Sequence, residues 1–269
     1  MSDSSPEVTV LIGAYNSAAT LQRAIDSILA QTVTELELIV VDDGSSDDSA
    51  ALARRAAARD PRVRVLELGE NVGISRSLND GLRAARAPYV AVQDADDHSE
   101  PGRLQAQLAV LRERADVAVV GSRMHEVDRS GNVLAPRTSF AAGDVAGVLM
   151  RFNPIPNTSC CMRREAVLAF GGYDARYRYA MEYDLWLRLA ERWKLIALDK
   201  PLSTRVMSDS NVAARAERAQ IAEAILIRLR ALRRRRTLRG ASGLLLPILS
   251  WLTPIALKRA RRRRLGQGP

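Results

Sequence analysis

Four short apolar runs, each followed by a polar loop and a stretch of helical period, open this chain. Val8-Thr9-Val10-Leu11-Ile12, Leu36 to Val41, Val63 to Leu68 and the run beginning at Tyr89 are rich in aliphatic and β-branched residues and read as strands. Between them, Leu21, Ala24, Ile25, Ile28 and Leu29 recur at helical spacing within 17–30. An Ala-rich helix over 47–59 follows the turn Asp42-Asp43-Gly44-Ser45-Ser46, and further helices are expected over 75–87 and 101–114. Strand and helix thus alternate four times. That order predicts an α/β fold, a mostly parallel sheet covered by helices on both faces with right-handed crossovers.

The rest of the chain is less regular. Val117–Val120, Ser159–Met162, Leu195–Leu198 and Leu202–Val206 read as strands, and 124–134 as a hairpin around Ser130-Gly131-Asn132. Residues 144–151 read as a short helix, 165–170 as a helical turn closed by Gly171-Gly172, and 182–193 as a helix with Leu185, Trp186, Leu189 and Ala190 inward. Two prolines stiffen Asn153-Pro154-Ile155-Pro156-Asn157. The expected organisation is one α/β domain over 1–210, with halves 7–114 and 115–210, and a helical extension over 211–269.

The unusual polar residues follow strand ends: Tyr15 and Asn16, Asp42 and Asp43, Asn71, then Asp94-Ala95-Asp96-Asp97. In an open parallel sheet such loops converge where ligands bind. Carboxylates on a loop held by a rigid strand suit Mg²⁺ or Mn²⁺ carrying a diphosphate, because these cations prefer hard oxygen donors. Arg76 reads equally as a phosphate contact or a solvated helix residue. Asp97 and His98 read as residues that merely follow the site.

These residues, in this order, resemble family 2 glycosyltransferases, which have the Rossmann-like GT-A fold. The resemblance rests on residues 8–48 (VTVLIGAYNSAATLQRAIDSILAQTVTELELIVVDDGSSDD), Asn71-Val72-Gly73, the Asp94–Asp97 loop, Gly171-Gly172-Tyr173-Asp174 and Glu182-Tyr183-Asp184-Leu185-Trp186-Leu187-Arg188. It implies inverting transfer of a sugar from a nucleotide diphosphate donor, UDP-linked by preference, to an acceptor hydroxyl of a glycan or lipid-linked molecule. By resemblance, Tyr15 and Asp43 would meet the nucleobase and Asn71 would shape the same pocket, with Asn16 and Arg76 as further candidates for nucleotide-sugar binding. Asp94 would lie near ribose and metal, and Asp96 would ligate the metal, Mn²⁺ or Mg²⁺. Glu182 occupies the general-base position, where Asp is common, and Asp184 is the rival. Asn157 departs from the His that many relatives carry after the proline-rich loop.

Charge changes the picture only at the C-terminus. The 269-residue chain carries +9, but residues 214–269 hold fifteen Arg and Lys against two Glu, a net +13, leaving −4 on residues 1–213. A helix over 211–238, with Ile221, Ile225, Leu229 and Leu232 on one stripe, ends in Arg233–Arg236, and an apolar segment around Trp251 leads into six more cations by Arg264. That segment is short for a membrane span and suits docking on an anionic leaflet through residues 233–264. A tail packed on the domain is the plainer alternative. Nucleic-acid binding is disfavoured because the Arg runs lack interleaved aromatics, and a non-catalytic scaffold because carboxylates are present at both the metal and the base positions that the resemblance implies. The N-terminus has no apolar signal-peptide core, so a cytoplasmic protein peripheral to the inner face of the membrane is expected. Cys160 and Cys161 read as buried apolar side chains.

Overall fold

The computed structural model describes residues 5–128, 130–134, 141–207, 217–235 and 241–253. The first half follows the expected alternation: β1 (Val8–Ala14), α1 (Leu21–Leu29), β2 (Leu36–Asp42), α2 (Ser49–Arg59), β3 (Val63–Glu67), α3 (Ile74–Ala84) and β4 (Tyr89–Asp94). After β4 come β5 (Asp97–Ser99), α4 (Arg103–Glu113), β6 (Val117–Val127), β7 (Gly143–Asp144), a 3-10 turn (Asn157–Ser159), β8 (Cys161–Arg163), α5 (Arg164–Ala169), α6 (Met181–Leu189) and β9 (Lys194–Val206). The C-terminal part holds α7 (Glu217–Arg235) and α8 (Leu245–Leu252).

One sheet carries all nine strands, in the order β3-β2-β1-β4-β8-β6-β9-β5 with β7 on β9. β3, β2, β1 and β4 are parallel. β8 enters antiparallel between β4 and β6 and joins the two halves. The register aligns Ala14 with Asp42 and Gly13 with Asp94, so the loops after β1, β2 and β4 leave from one edge.

The central strands are apolar throughout because both faces are covered. Leu11, Ile39, Val90 and Val92 face the layer formed by α3, α5, α6 and α7, where Leu78, Leu82, Val167, Trp186 and Ile227 are buried. Val10, Ile12, Leu38, Val40 and Ala91 face α1, α2 and α4, with Leu21, Ile25, Ile28, Ala53, Leu104 and Leu108. Each fully buried Leu or Ile in these layers contributes roughly 1.5–3 kcal/mol relative to exposure.

Three expectations are revised. Leu195–Leu198 and Leu202–Val206 belong to one strand, β9, which passes Pro201 by shifting its register against β6. Residues 144–151 do not form a helix: Gly143 and Asp144 pair with β9, and hydrogen-bonded turns follow. The buried stripe of α7 runs through Ile227, Arg228, Ala231 and Leu232, whereas Leu229 is exposed. Residues 211–216 and 236–240, and the cationic run from Lys258 to Arg264, lie outside the described residues. Cys160 and Cys161 are free and buried.

Candidate active site

The loops after β1 and β2 are latched to each other. Asn16, at φ 50°, accepts the Ser46 N–H at 2.8 Å through its side chain and donates its own N–H to Ser45 Oγ at 3.0 Å. This left-handed turn is one that Asn tolerates better than most residues. It leaves the Tyr15 ring half exposed at the rim. Asp43 is buried and accepts the N–H groups of Val72 (2.8 Å) and Gly73 (3.0 Å), tying down the loop that carries Asn71. Gly44, at φ 69°, lies where a Cβ would come within 2.5 Å of the Glu70 backbone, so the two loops meet at a point only glycine fits. Asp42 accepts the Ser45 N–H at 3.2 Å and serves the turn. Asn71 and Arg76 are exposed, Arg76 on the first turn of α3.

At the end of β4, carboxylate oxygens of Asp94, Asp96 and Asp97 lie within 4.8 Å of one another. Asp97 does not merely follow the site: it is a buried member of this cluster, 1% exposed. Burial and the charge of Asp97 push Asp94 up to about 7, against the pull of Arg205. Burial, opposed by Arg205 and reinforced by Asp96, pushes Asp97 up to about 6. Carboxylates packed this closely resist ionising together unless a cation joins them. Three hard oxygen donors, one exposed and two partly or fully enclosed, fit a small divalent ion. The cluster's resident counter-charge is Arg205 on β9, with Nη2 3.7 Å from Asp94 and Nε 3.5 Å from Asp97. Arg23 of α1 donates to the Asp96 carbonyl at 3.0 Å and holds the loop from the other side.

The second half brings its own groups to this edge. The 3-10 turn sets Thr158 Oγ1 to accept the Asp94 N–H at 3.0 Å. Asn157 is buried; its Oδ1 accepts from the Tyr173 hydroxyl at 2.8 Å, and its Nδ2 has no protein partner among the described residues. The Gly171–Asp174 motif is fixed by Asn79 of α3, which exchanges two 2.8 Å hydrogen bonds with the Tyr173 backbone. Glu182 stands in the first turn of α6, and its Oε1 accepts from Asn153 Nδ2 at 2.9 Å. Burial, with the charge of Asp94 adding to it, raises Glu182 to about 7. Asp184 is only 2% exposed and engaged by Arg188 at 2.7 Å, with Arg234 at 4.0 Å.

Sequence reasoning did not find Arg205, Asn153, Asn79 or Arg23. Their partners lie far along the chain, so their own neighbourhoods carry no sign of them. Only Arg205 left a trace, as a charge inside an apolar-alternating strand.

A metal-suited carboxylate cluster at the end of a parallel strand, with a separate carboxylate supplied by the mixed-sheet half, is the arrangement that the resemblance to GT-A glycosyltransferases implies. The comparisons agree. A model of glycosyl transferase family 2 matches residues 9–169, more than half of the chain, and the chain belongs to that family. EpsE of Bacillus subtilis, to which a glycosyltransferase activity is ascribed, is 35% identical over 192 residues, covering 70% of this chain and 68% of EpsE. The succinoglycan biosynthesis protein ExoO of Rhizobium meliloti is 47% identical over 116 residues, 43% of this chain and 32% of ExoO. Among solved structures, S. aureus TarS 1–349 superposes with a TM-score of 0.69 at 17% identity, covering 91% of this chain and 72% of that one. The mannosyltransferase PcManGT of Pyrobaculum calidifontis, solved with GDP-Man and Mn²⁺, has a TM-score of 0.65 at 21% identity, covering 98% and 81%. At these identities the structures establish the shared fold.

Proposed function

We propose that this chain transfers a sugar from a nucleoside diphosphate donor, UDP-linked by preference, to an acceptor hydroxyl with inversion at the anomeric carbon. The observation that carries this reading is the pairing of two acidic centres with different duties. Asp94, Asp96 and Asp97 form a compact oxygen-donor cluster, whereas Glu182 stands apart, raised to about 7 and held by Asn153. Tyr15 offers a half-exposed ring for the base to stack on. Asp43, with Asn16 and Asn71, would define the nucleobase pocket and Arg76 its phosphate side.

Asp94 and Asp96, joined by Asp97, would hold Mn²⁺ or Mg²⁺, whose charge stabilises a diphosphate leaving group. Glu182 then acts as general base: it takes the acceptor hydroxyl proton as that oxygen bonds to the anomeric carbon. The bond to the donor phosphate oxygen breaks and the nucleoside diphosphate leaves with the electron pair. A base poised near the working pH suits this step. Asp184 is the poorer candidate, because its buried carboxylate is already engaged by Arg188. TarS has been solved with UDP-GlcNAc, and ExoO is named for succinoglycan biosynthesis, which supports a UDP-sugar donor and a polysaccharide or lipid-linked acceptor.

We also assign the C-terminal apolar helix to the surface of an anionic membrane, at its cytoplasmic face. No helix among the described residues is long and apolar enough to cross a bilayer. α8 nevertheless exposes Leu245, Ile248, Leu249, Trp251 and Leu252, directly before a strongly cationic run.

The deciding experiment is a screen of nucleotide-sugars for thermal stabilisation with and without Mn²⁺. Stabilisation by one donor, dependent on metal and lost in Asp96→Ala, is expected; metal-independent binding in that variant would overturn the donor site.

A further inference from the structure

Glu182 owes its place to a helix far outside the segment that matches the family. Glu223 of α7 points its carboxylate at the chain entering α6. Its oxygens accept three successive backbone N–H groups, from Arg178 (2.9 Å), Tyr179 (2.8 Å) and Ala180 (3.0 Å). Three converging donors on one carboxylate fix both the position and the direction of that turn. Glu182 follows two residues later. Ser75 of α3 adds a hydrogen bond to the Tyr177 carbonyl at 3.2 Å from the opposite side.

The same helix holds the other wall of the base. Arg228, 4% exposed, donates from Nε to the Met150 carbonyl and from Nη2 to the Arg151 carbonyl, both at 3.0 Å. Its guanidinium lies over the Tyr183 ring, 4.8 Å from the centroid, and the Tyr183 hydroxyl donates to the Leu149 carbonyl. Asn153, the residue that donates to Glu182, is two positions beyond Arg151. α7 therefore grips the strand of chain that carries Glu182 and the strand that carries its hydrogen-bond partner.

We propose that Glu223 and Arg228 are positioning residues for the acceptor-activating step, so that α7 belongs to the catalytic apparatus and is not an appended tail. This rests on reading Glu182 as the base. A displacement of about 1 Å at such a group costs on the order of 10²-fold in rate. A packing helix with no such duty would alter stability and donor affinity together.

The test compares Glu223→Ala, Glu223→Gln and Arg228→Lys in the full chain, with Glu182→Gln alongside. Binding is measured with UDP and Mn²⁺, and turnover as UDP release from UDP-GlcNAc, or from whichever nucleotide-sugar the thermal screen selects, with water taking the sugar in place of the acceptor hydroxyl. UDP affinity is expected to stay within twofold, kcat to fall at least tenfold in Glu223→Ala, and Glu223→Gln, which keeps one acceptor oxygen, to recover part of the loss. Arg228→Lys, keeping the charge but losing the fork, is expected to lower kcat without changing donor KM. Turnover within twofold of wild type in these variants, or UDP affinity falling in parallel with kcat, overturns the proposal. Full turnover in Glu182→Gln would remove the base assignment itself, a different outcome. Should Glu223→Ala not fold, the Gln and Lys variants carry the same comparison.

Discussion

Arg205 stands opposite Asp97 in the antiparallel β5–β9 ladder, and its guanidinium reaches both Asp97 and Asp94. Against the cost of burial, the charges of Asp97, Asp94 and Asp96 hold it firmly protonated. Without it, buried like charges would face one another unscreened. Arg205→Gln is expected to destabilise the metal-free protein by about 1–3 kcal/mol. Mn²⁺ should recover more stability in this variant than in the wild type, since a cation compensates the same charges. Thermal melts with and without MnCl₂ measure both; an equal metal response in the two proteins would show that Arg205 is not the cluster's counter-ion.

Glu182 makes two linked pH predictions. A base acts when ionised, so kcat for transfer should rise with pH and level off above about 7. For stability the sign is opposite. The folded carboxyl titrates near 7 and the unfolded one near 4.5, so the stability it contributes is complete below 4.5 and is lost as pH rises through 7. Glu182→Gln cannot ionise, and at pH 8 it should be more stable than wild type by about 1–2 kcal/mol, allowing for partial solvent access. Denaturation at pH 8 and pH 4.5 reads the difference, which should nearly vanish at the lower value. Its transferase activity should be abolished while UDP–Mn²⁺ binding persists.

Asp184→Asn separates the two candidate bases. Its loss leaves the Arg188 guanidinium, itself bound to the Phe170 and Gly172 carbonyls, without its carboxylate. A stability loss of about 3–5 kcal/mol is expected. Activity per folded molecule should remain within tenfold of wild type. Catalytic loss as deep as in Glu182→Gln, in protein that melts normally, would exchange their roles.

Asp43→Ala frees two backbone N–H groups and the loop around Asn71. A destabilisation of about 1–3 kcal/mol is expected. Affinity for UDP should fall at least tenfold, because the proposed nucleobase wall and its tether go together. Isothermal calorimetry with UDP and Mn²⁺ tests this, and unchanged affinity would place the base elsewhere.

Leu249→Glu with Leu252→Glu puts two charges on the exposed face of α8. Flotation with vesicles of mixed anionic and zwitterionic lipid should fall several-fold, and removal of residues 240–269 should abolish it. Equal flotation of wild type and both variants would end the membrane assignment.

Most of the first half was legible because its information is local. An apolar run such as Val8–Ile12 states its own burial, and the polar residues after it must leave the sheet at the strand's end. Asp94 and Asp96 could therefore be placed before any coordinates. Asp97 was misjudged because β5 is three residues long and its partner, Arg205, is more than a hundred positions away. The second half of the chain depends on such pairings throughout. β9 crosses Pro201 by a register shift, which makes one strand read as two, and Asp144, which reads as the start of a helix over 144–151, instead pairs with Gly143 onto β9. Glu223 carries no local sign of the role proposed for it: on a helix that reads as amphipathic and basic, either of its two Glu residues passes for an ordinary solvated charge.

The antiparallel seam at β8 also bears on synthesis, because the strands that complete the sheet are the last to be made. β1 to β4 pair through short βα crossovers, and their sheet can close once residue 94 has emerged. The free edge of β4 then waits for Cys161–Arg163, and β6 waits longer still for β9, which ends at Val206. Contacts between distant segments form slowly, and exposed strand edges recruit other chains while they wait. The segments proposed to cradle the nucleotide are thus made well before the proposed base, Glu182, and exposed edges of β4 and β6 in that interval are where aggregation is expected.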